Sequence, residues 1–144
     1  MQKLSLIIVT LWVGALWMTG LTAYILFQNL GDKQLAGSLA GNLFEIVSYI
    51  GIASAIFLMI ERLLSYSTGA LKQSYFWAVF FMFLLVLAGH FGIQPLLAQL
   101  KASAMPADVM HSVFADRFRT WHGIASVAYL FECLLGVVLV LKVR

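Results

Sequence analysis

The chain has 144 residues, 62% hydrophobic and only 10% charged, with a formal net charge of +3 and a mean hydropathy of +0.96. A soluble domain is about 45–50% apolar and about 25% charged, so a soluble enzyme is excluded and most of this surface must face lipid or other apolar helices. The single cysteine, Cys133, cannot close an intramolecular disulfide, and no paired-Cys metal motif is present.

Four apolar stretches, about 4–27, 40–62, 76–98 and 120–141, are each long enough at ~1.5 Å per residue to cross a hydrocarbon core of about 30 Å. No water satisfies backbone groups in that core, so each stretch must be an α-helix. The expected fold is all-α: one polytopic domain over residues 1–144, a bundle of four transmembrane helices. The first stretch is too long for the apolar region of a signal peptide and has no small-residue cleavage motif after it, so it reads as a retained span. Asp32 is placed to cap a helix beginning near Lys33. That helix enters the second span through Ala36, Gly37, Ala40 and Gly41. Their four-residue spacing lets another helix approach closely, and Gly37 and Gly41 are the expected contact for a second copy or a membrane partner. An ordinary small-residue helix end explains the same pattern. Glu61-Arg62 closes the span and is expected as an interfacial anchor.

In the third span, Gly89-His90-Phe91-Gly92-Ile93-Gln94-Pro95 sets a histidine between two glycines, just ahead of a proline that removes a backbone donor. A kink that frees the Phe91 carbonyl is expected there. Pro106 suits the first turn of a helix, and the residues after it put Val109, Met110, Val113, Phe114 and Phe118 on one side. This predicts a short amphipathic interfacial helix before the fourth span. Trp12, Trp77 and Trp121 fit interfacial belt positions, while Trp17 is too deep for one and is expected to pack inside.

Four spans place Lys3, Arg62, Lys72, Lys142 and Arg144 on one side of the membrane and Lys33, Lys101, Arg117 and Arg119 on the other. Five against four favours cytoplasmic termini in a bacterial inner (plasma) membrane.

An ionisable side chain at mid-bilayer costs about 2.5–3.5 kcal/mol on insertion scales. Glu45, His90, His122 and Glu132 therefore each need a partner, a cavity or a task. By helical rise Glu45, His90, Gln94 and His122 fall in the membrane half opposite the termini; Asn42 lies one turn above Glu45, and Gln94 shares a face with His90. The stripe His122, Ser126, Tyr129, Cys133 and Gly136 is expected to face the bundle, meeting Glu45, Ser48 and Tyr49 of the second span and Gly14, Trp17 and Gly20 of the first. The candidate ligand-binding set is Trp17, Asn42, Glu45, His90, Gln94, His122 and Tyr129, with His90 and His122 as candidate metal ligands. Neutral imidazole can ligate a metal or haem iron or carry a proton, with a carboxylate as its second partner. A bis-histidine haem b needs imidazoles at similar depth, and these two differ by about 9 Å of helical rise. A His–Glu or His–Gln bond that only locks helix register explains the same residues without a ligand. Glu132, about 80° around the helix from the His122 stripe, is expected to pair with Arg62 or with the first span.

The run Leu11-Trp12-Val13-Gly14-Ala15-Leu16-Trp17, the entry Gly41-Asn42-Leu43-Phe44, the run 89–95 and Trp121-His122-Gly123-Ile124 together resemble the transmembrane protein 205-like family. The likeness covers nearly the whole chain and implies a four-helix membrane domain. The chain is also distantly similar to four-helix copper-resistance and haem-linked membrane proteins, in which intramembrane histidines handle metal or haem. That likeness implies roles for Trp17, Glu45, His90, Gln94 and His122. Three function classes follow: a protein with an intramembrane site for a metal-containing or polar small ligand, haem b among them; a structural or assembly subunit without a ligand; and an oligomeric permeation protein. No hydrolytic triad, phosphate-binding loop or nucleic-acid signature is present.

Overall fold

A computed structural model describes residues 2–143. Its helices are α1 (Gln2–Asn29), α2 (Lys33–Tyr66), α3 (Ser74–Leu87), α4 (Gln94–Ala104) and α5 (Ala115–Lys142). A 3-10 turn at Ser67–Lys72 follows α2, a π-helical segment at Ala88–Ile93 joins α3 to α4, and a second 3-10 turn at Val109–His111 precedes α5. Four helical stretches, Gln2–Asn29, Lys33–Lys72, Ser74–Ala104 and Ala115–Lys142, are long and apolar enough to cross a membrane, and they contain the four expected spans. α1 packs on α2 and α5, and α3 packs on the same two. The spans thus close a ring with α1 diagonal to α3.

Asp32 caps α2 as expected: its carboxylate accepts from Gln34 N at 2.9 Å and Leu35 N at 3.1 Å, satisfying two amides that the first helical turn leaves without partners. The buried face of α1 is Ser5, Val9, Trp12, Val13, Leu16 and Ala23, largely a three-and-four spacing. Opposite it α2 offers Ala36, Ala40, Val47, Gly51, Ala55 and Leu58. Trp12 is 0% exposed. It fits because Gly51 has no side chain: a Cβ there would lie 3.0 Å from Trp12 Nε1 and 3.2 Å from Val86 Cγ2. Gly136 makes the matching recess on α5, where a Cβ would meet both Val13 methyls at 3.2 Å. Small residues at contacts supply the close packing that membrane helices need, since lipid gives them no hydrophobic drive to associate.

Several expectations are corrected. Trp12 is in the core and not in an interfacial belt, whereas Trp17 is 43% exposed on the outside. Trp17 follows the inward Leu16 by one position, about 100° around the helix, and the recess at Gly51 lies against Trp12. Trp121 is half-buried, packed on the small cluster of Leu100, Ala104 and Val109. The interfacial helix before the fourth span is only the 3-10 turn. Asp108 Oδ1 accepts from Met110 N at 3.0 Å, and Ser112 Oγ donates to Val109 O at 2.7 Å while accepting from Phe114 N at 3.2 Å. Such local bonds compete with helix formation. Val109 does reach the protein, but Val113 is 91% exposed. Pro95 interrupts no α-helical ladder. It sits in the first turn of α4, where its missing donor costs little, and just upstream the Gln94 amide donates to Gly89 O, a five-residue step.

Candidate functional site

The inward faces of α1 and α2 decide where the predicted site residues go. On α2 the buried positions 47, 51, 55 and 58 turn Asn42, Glu45 and Tyr49 onto the outer surface, contrary to the expectation that Glu45 faces the bundle. Tyr49 meets the half-buried His90 there, edge-on, with ring centroids 4.8 Å apart and planes at 65°. Phe91 contacts the same imidazole at 4.7 Å. His90 Nδ1 is buried without a hydrogen-bond partner. Around it the π turn leaves space: a Cβ on Gly89 or Gly92 would find nothing within 4 Å. Gln94 is half-buried at the end of this turn.

His122 belongs to a different neighbourhood. It is exposed and stacks on Phe118, with centroids 5.8 Å apart and planes at 9°, and Lys101 Nζ lies 5.6 Å from the centroid of that ring. His90 and His122 share no ring contact or hydrogen bond. Among the described residues no group of three or more His, Cys, Asp or Glu is placed to hold a metal ion. The donor set a metal or a bis-histidine haem requires is therefore not assembled by these side chains. Tyr129 has a mechanical part: its hydroxyl donates to Leu16 O on α1, and its ring meets Phe44 of α2 edge-on at 5.0 Å. One side chain of α5 thus holds two other helices.

Three ionisable side chains depart from the sequence expectation. Glu61 and Arg62 are 5% and 6% exposed, buried where an interfacial anchor was expected. The signal was present, since Ala55, Leu58 and Arg62 continue the small, inward spacing of α2 by three and four. Glu132 is 6% exposed and forms no ion pair with Arg62 or α1; its Oε1 lacks a hydrogen-bond partner among the described residues. Ten residues, about 15 Å of rise, separate it from Lys142 at the end of α5. That is the middle of a hydrocarbon core about 30 Å thick.

Four apolar helices closed around a packed core, with ionisable groups near both ends and at the centre, define an integral membrane protein of the helical-bundle class. A family model described as Domain of unknown function (DUF4149) matches residues 6–106, and the chain belongs to that family. The match runs from α1 into the connector after α4, so Glu45, Arg62, His90 and Gln94 fall within it and His122, Tyr129 and Glu132 beyond it. No curated protein and no solved structure matches the chain.

Proposed function

We propose that the protein is a membrane-embedded binding protein whose recognition group is His90, taking a polar small ligand at the outer face where α2 meets the π turn. The observation that carries this reading is the buried, unpartnered Nδ1 of His90. A buried polar atom left unsatisfied costs about 1–3 kcal/mol, which a ligand donor or acceptor recovers. π turns recur at functional sites, Gly89 and Gly92 leave room beside the ring, and Glu45 lies one turn from Tyr49 on the same face. The separate aromatic partners of His90 and His122 favour a hydrogen-bonding ligand over a metal or haem b. The distant likeness of the chain to four-helix membrane proteins with working intramembrane histidines, which implies a role for His90, supports a site centred there.

The test is an absorption spectrum, metal analysis and mass spectrometry of small molecules that co-purify with the full chain, compared with His90→Ala and His90→Phe. A bound species lost in both variants while helicity and melting temperature hold supports the site. Equal content in all three, with only stability changed, overturns it and leaves the scaffold reading. That second reading has an observation of its own: Asn42, Glu45 and Gly41 are exposed on one surface of α2, and a carboxylate at membrane depth calls for cover. Cross-linking through Glu45→Cys to a second copy or another membrane chain supports it. We place the start of α1 and the end of α5 on the cytoplasmic side of a bacterial plasma membrane, because Lys3, Arg62, Lys72 and Lys142 gather there. Labelling of single cysteines at Lys3 and at Lys33 from either side tests this.

A further inference from the structure

The end of the bundle away from His90 carries a second cluster of buried polar groups. The last turns of α2, the 3-10 turn, the start of α3 and the end of α5 meet there around a groove of about 450 Å³. Arg62, Tyr66, Lys72, Ser74, Tyr75 and Lys142 line it. Three of these side chains are cations and none is acidic. Glu61, beside Arg62 in the chain, accepts from Ser65 Oγ at 3.3 Å; it is not part of the lining, although its charge reaches Tyr75.

Arg62 is buried to within 6% of its surface, yet it forms no hydrogen bond or ion pair with the described residues, and its Nε is without an acceptor. What holds it is aromatic. The guanidinium carbon lies 4.0 Å from the centroid of Tyr75 and 5.1 Å from that of Tyr66. Tyr75 is 3% exposed, and its hydroxyl also lacks a partner. A buried cation is ordinarily matched by an anion, and buried donors are ordinarily satisfied. Rings held against a guanidinium use its π-face, whereas its donors lie in its plane, the geometry that suits the paired oxygens of a phosphate. Lys72 and Lys142 add exposed charges at the rim.

We propose that Arg62, Tyr75, Lys72 and Lys142 form a binding site for a phosphate-bearing anion. The groove lies where the second and fourth spans end and the third begins, the depth at which lipid phosphates sit. Basic pockets between helix ends are a recurring way of holding anionic headgroups. The same donors recognise a phosphate presented from water. This site is independent of the one at His90.

The experiment uses the full chain in nanodiscs of phosphatidylcholine, with and without about a third of phosphatidylglycerol, and a titration with inorganic phosphate. Retained lipid is read by native mass spectrometry and phosphate binding by the shift in melting temperature. The variants are Arg62→Gln, Tyr75→Phe and the pair Lys72→Gln with Lys142→Gln. Preferential retention of phosphatidylglycerol, weakened at least about tenfold in Arg62→Gln and roughly fivefold for each lysine removed, identifies a headgroup site. Stabilisation by inorganic phosphate without lipid retention, lost in the same variants, identifies a soluble phosphate compound as the source. Wild-type protein that binds neither, or variants that bind as wild type does, overturns the proposal. Should Arg62→Gln not fold, the lysine pair decides, because both side chains are exposed and neither supports the core.

Discussion

Replacing Gly51 by alanine tests the packing that puts Trp12 at the centre of the bundle. The new Cβ would sit 3.0 Å from Trp12 Nε1 and 3.2 Å from Val86 Cγ2, against a comfortable separation of about 3.5–4.0 Å. Neither neighbour is the free end of a flexible chain. Nε1 is part of a rigid indole with no exposed surface, and valine is stiff at χ1. Overpacking of this kind costs about 1–3 kcal/mol, and the upper half of that range fits two simultaneous contacts. Alanine's better helix propensity returns about 1 kcal/mol, leaving a net loss of about 1–2 kcal/mol. For a chain of this size the melting temperature in detergent should fall by about 2–8 °C. Gly14→Ala is the control, since a Cβ there meets nothing within 4 Å, and it should be neutral or slightly stabilising. Adding Trp12→Phe, which removes the pyrrole ring, should offset the loss, giving a coupling of about 1 kcal/mol in a double-mutant cycle. If Gly51→Ala melts with Gly14→Ala, or the two core changes simply add, the assigned contact is wrong.

Tyr129→Phe keeps the ring contact with Phe44 and deletes the bond to Leu16 O, so thermal melting should show a loss of about 0.6–1 kcal/mol; Tyr129→Ala should lose about 3–5 kcal/mol. Glu132→Leu removes a buried carboxylate with an unsatisfied oxygen and should stabilise the protein by about 1 kcal/mol or more in the same assay. A less stable leucine variant would reveal a partner for that carboxylate. In vesicles of brominated lipid, a protein retaining Trp17 as its only tryptophan should be strongly quenched, and one retaining only Trp12 should not, because Trp12 has no exposed surface.

The number of spans, their rough limits and the Asp32 cap follow from composition and local chemistry, which act over a few residues and are written plainly in the chain. Orientation about each helix axis was harder to read. Nearly every position in these spans is apolar, so periodicity marks no inward face, and small polar residues are the remaining cue to it. That cue holds for Tyr129, Cys133 and Gly136. It fails for Glu45, Tyr49 and Trp17, where the inward face belongs to Gly51 and the alanines of α2 and to Trp12 of α1. Arg62 went unrecognised for a related reason: an arginine at a span end invites the interfacial reading, and only the pairing of α2 with α3 brings Tyr75 over its guanidinium. The π turn leaves no mark in residue type beyond two glycines and a proline, which a kink would equally use.

That turn stores the equivalent of a one-residue insertion in the third span. Losing a residue elsewhere in a packed membrane helix swings everything downstream through about 100°. Deleting Gly92 would instead let the widened loop of backbone close to the ordinary register, with α4 left in phase and Leu100 and Ala104 still directed at Val109. The bundle could be shortened there without being rebuilt, and the architecture around the turn does not depend on the surplus residue.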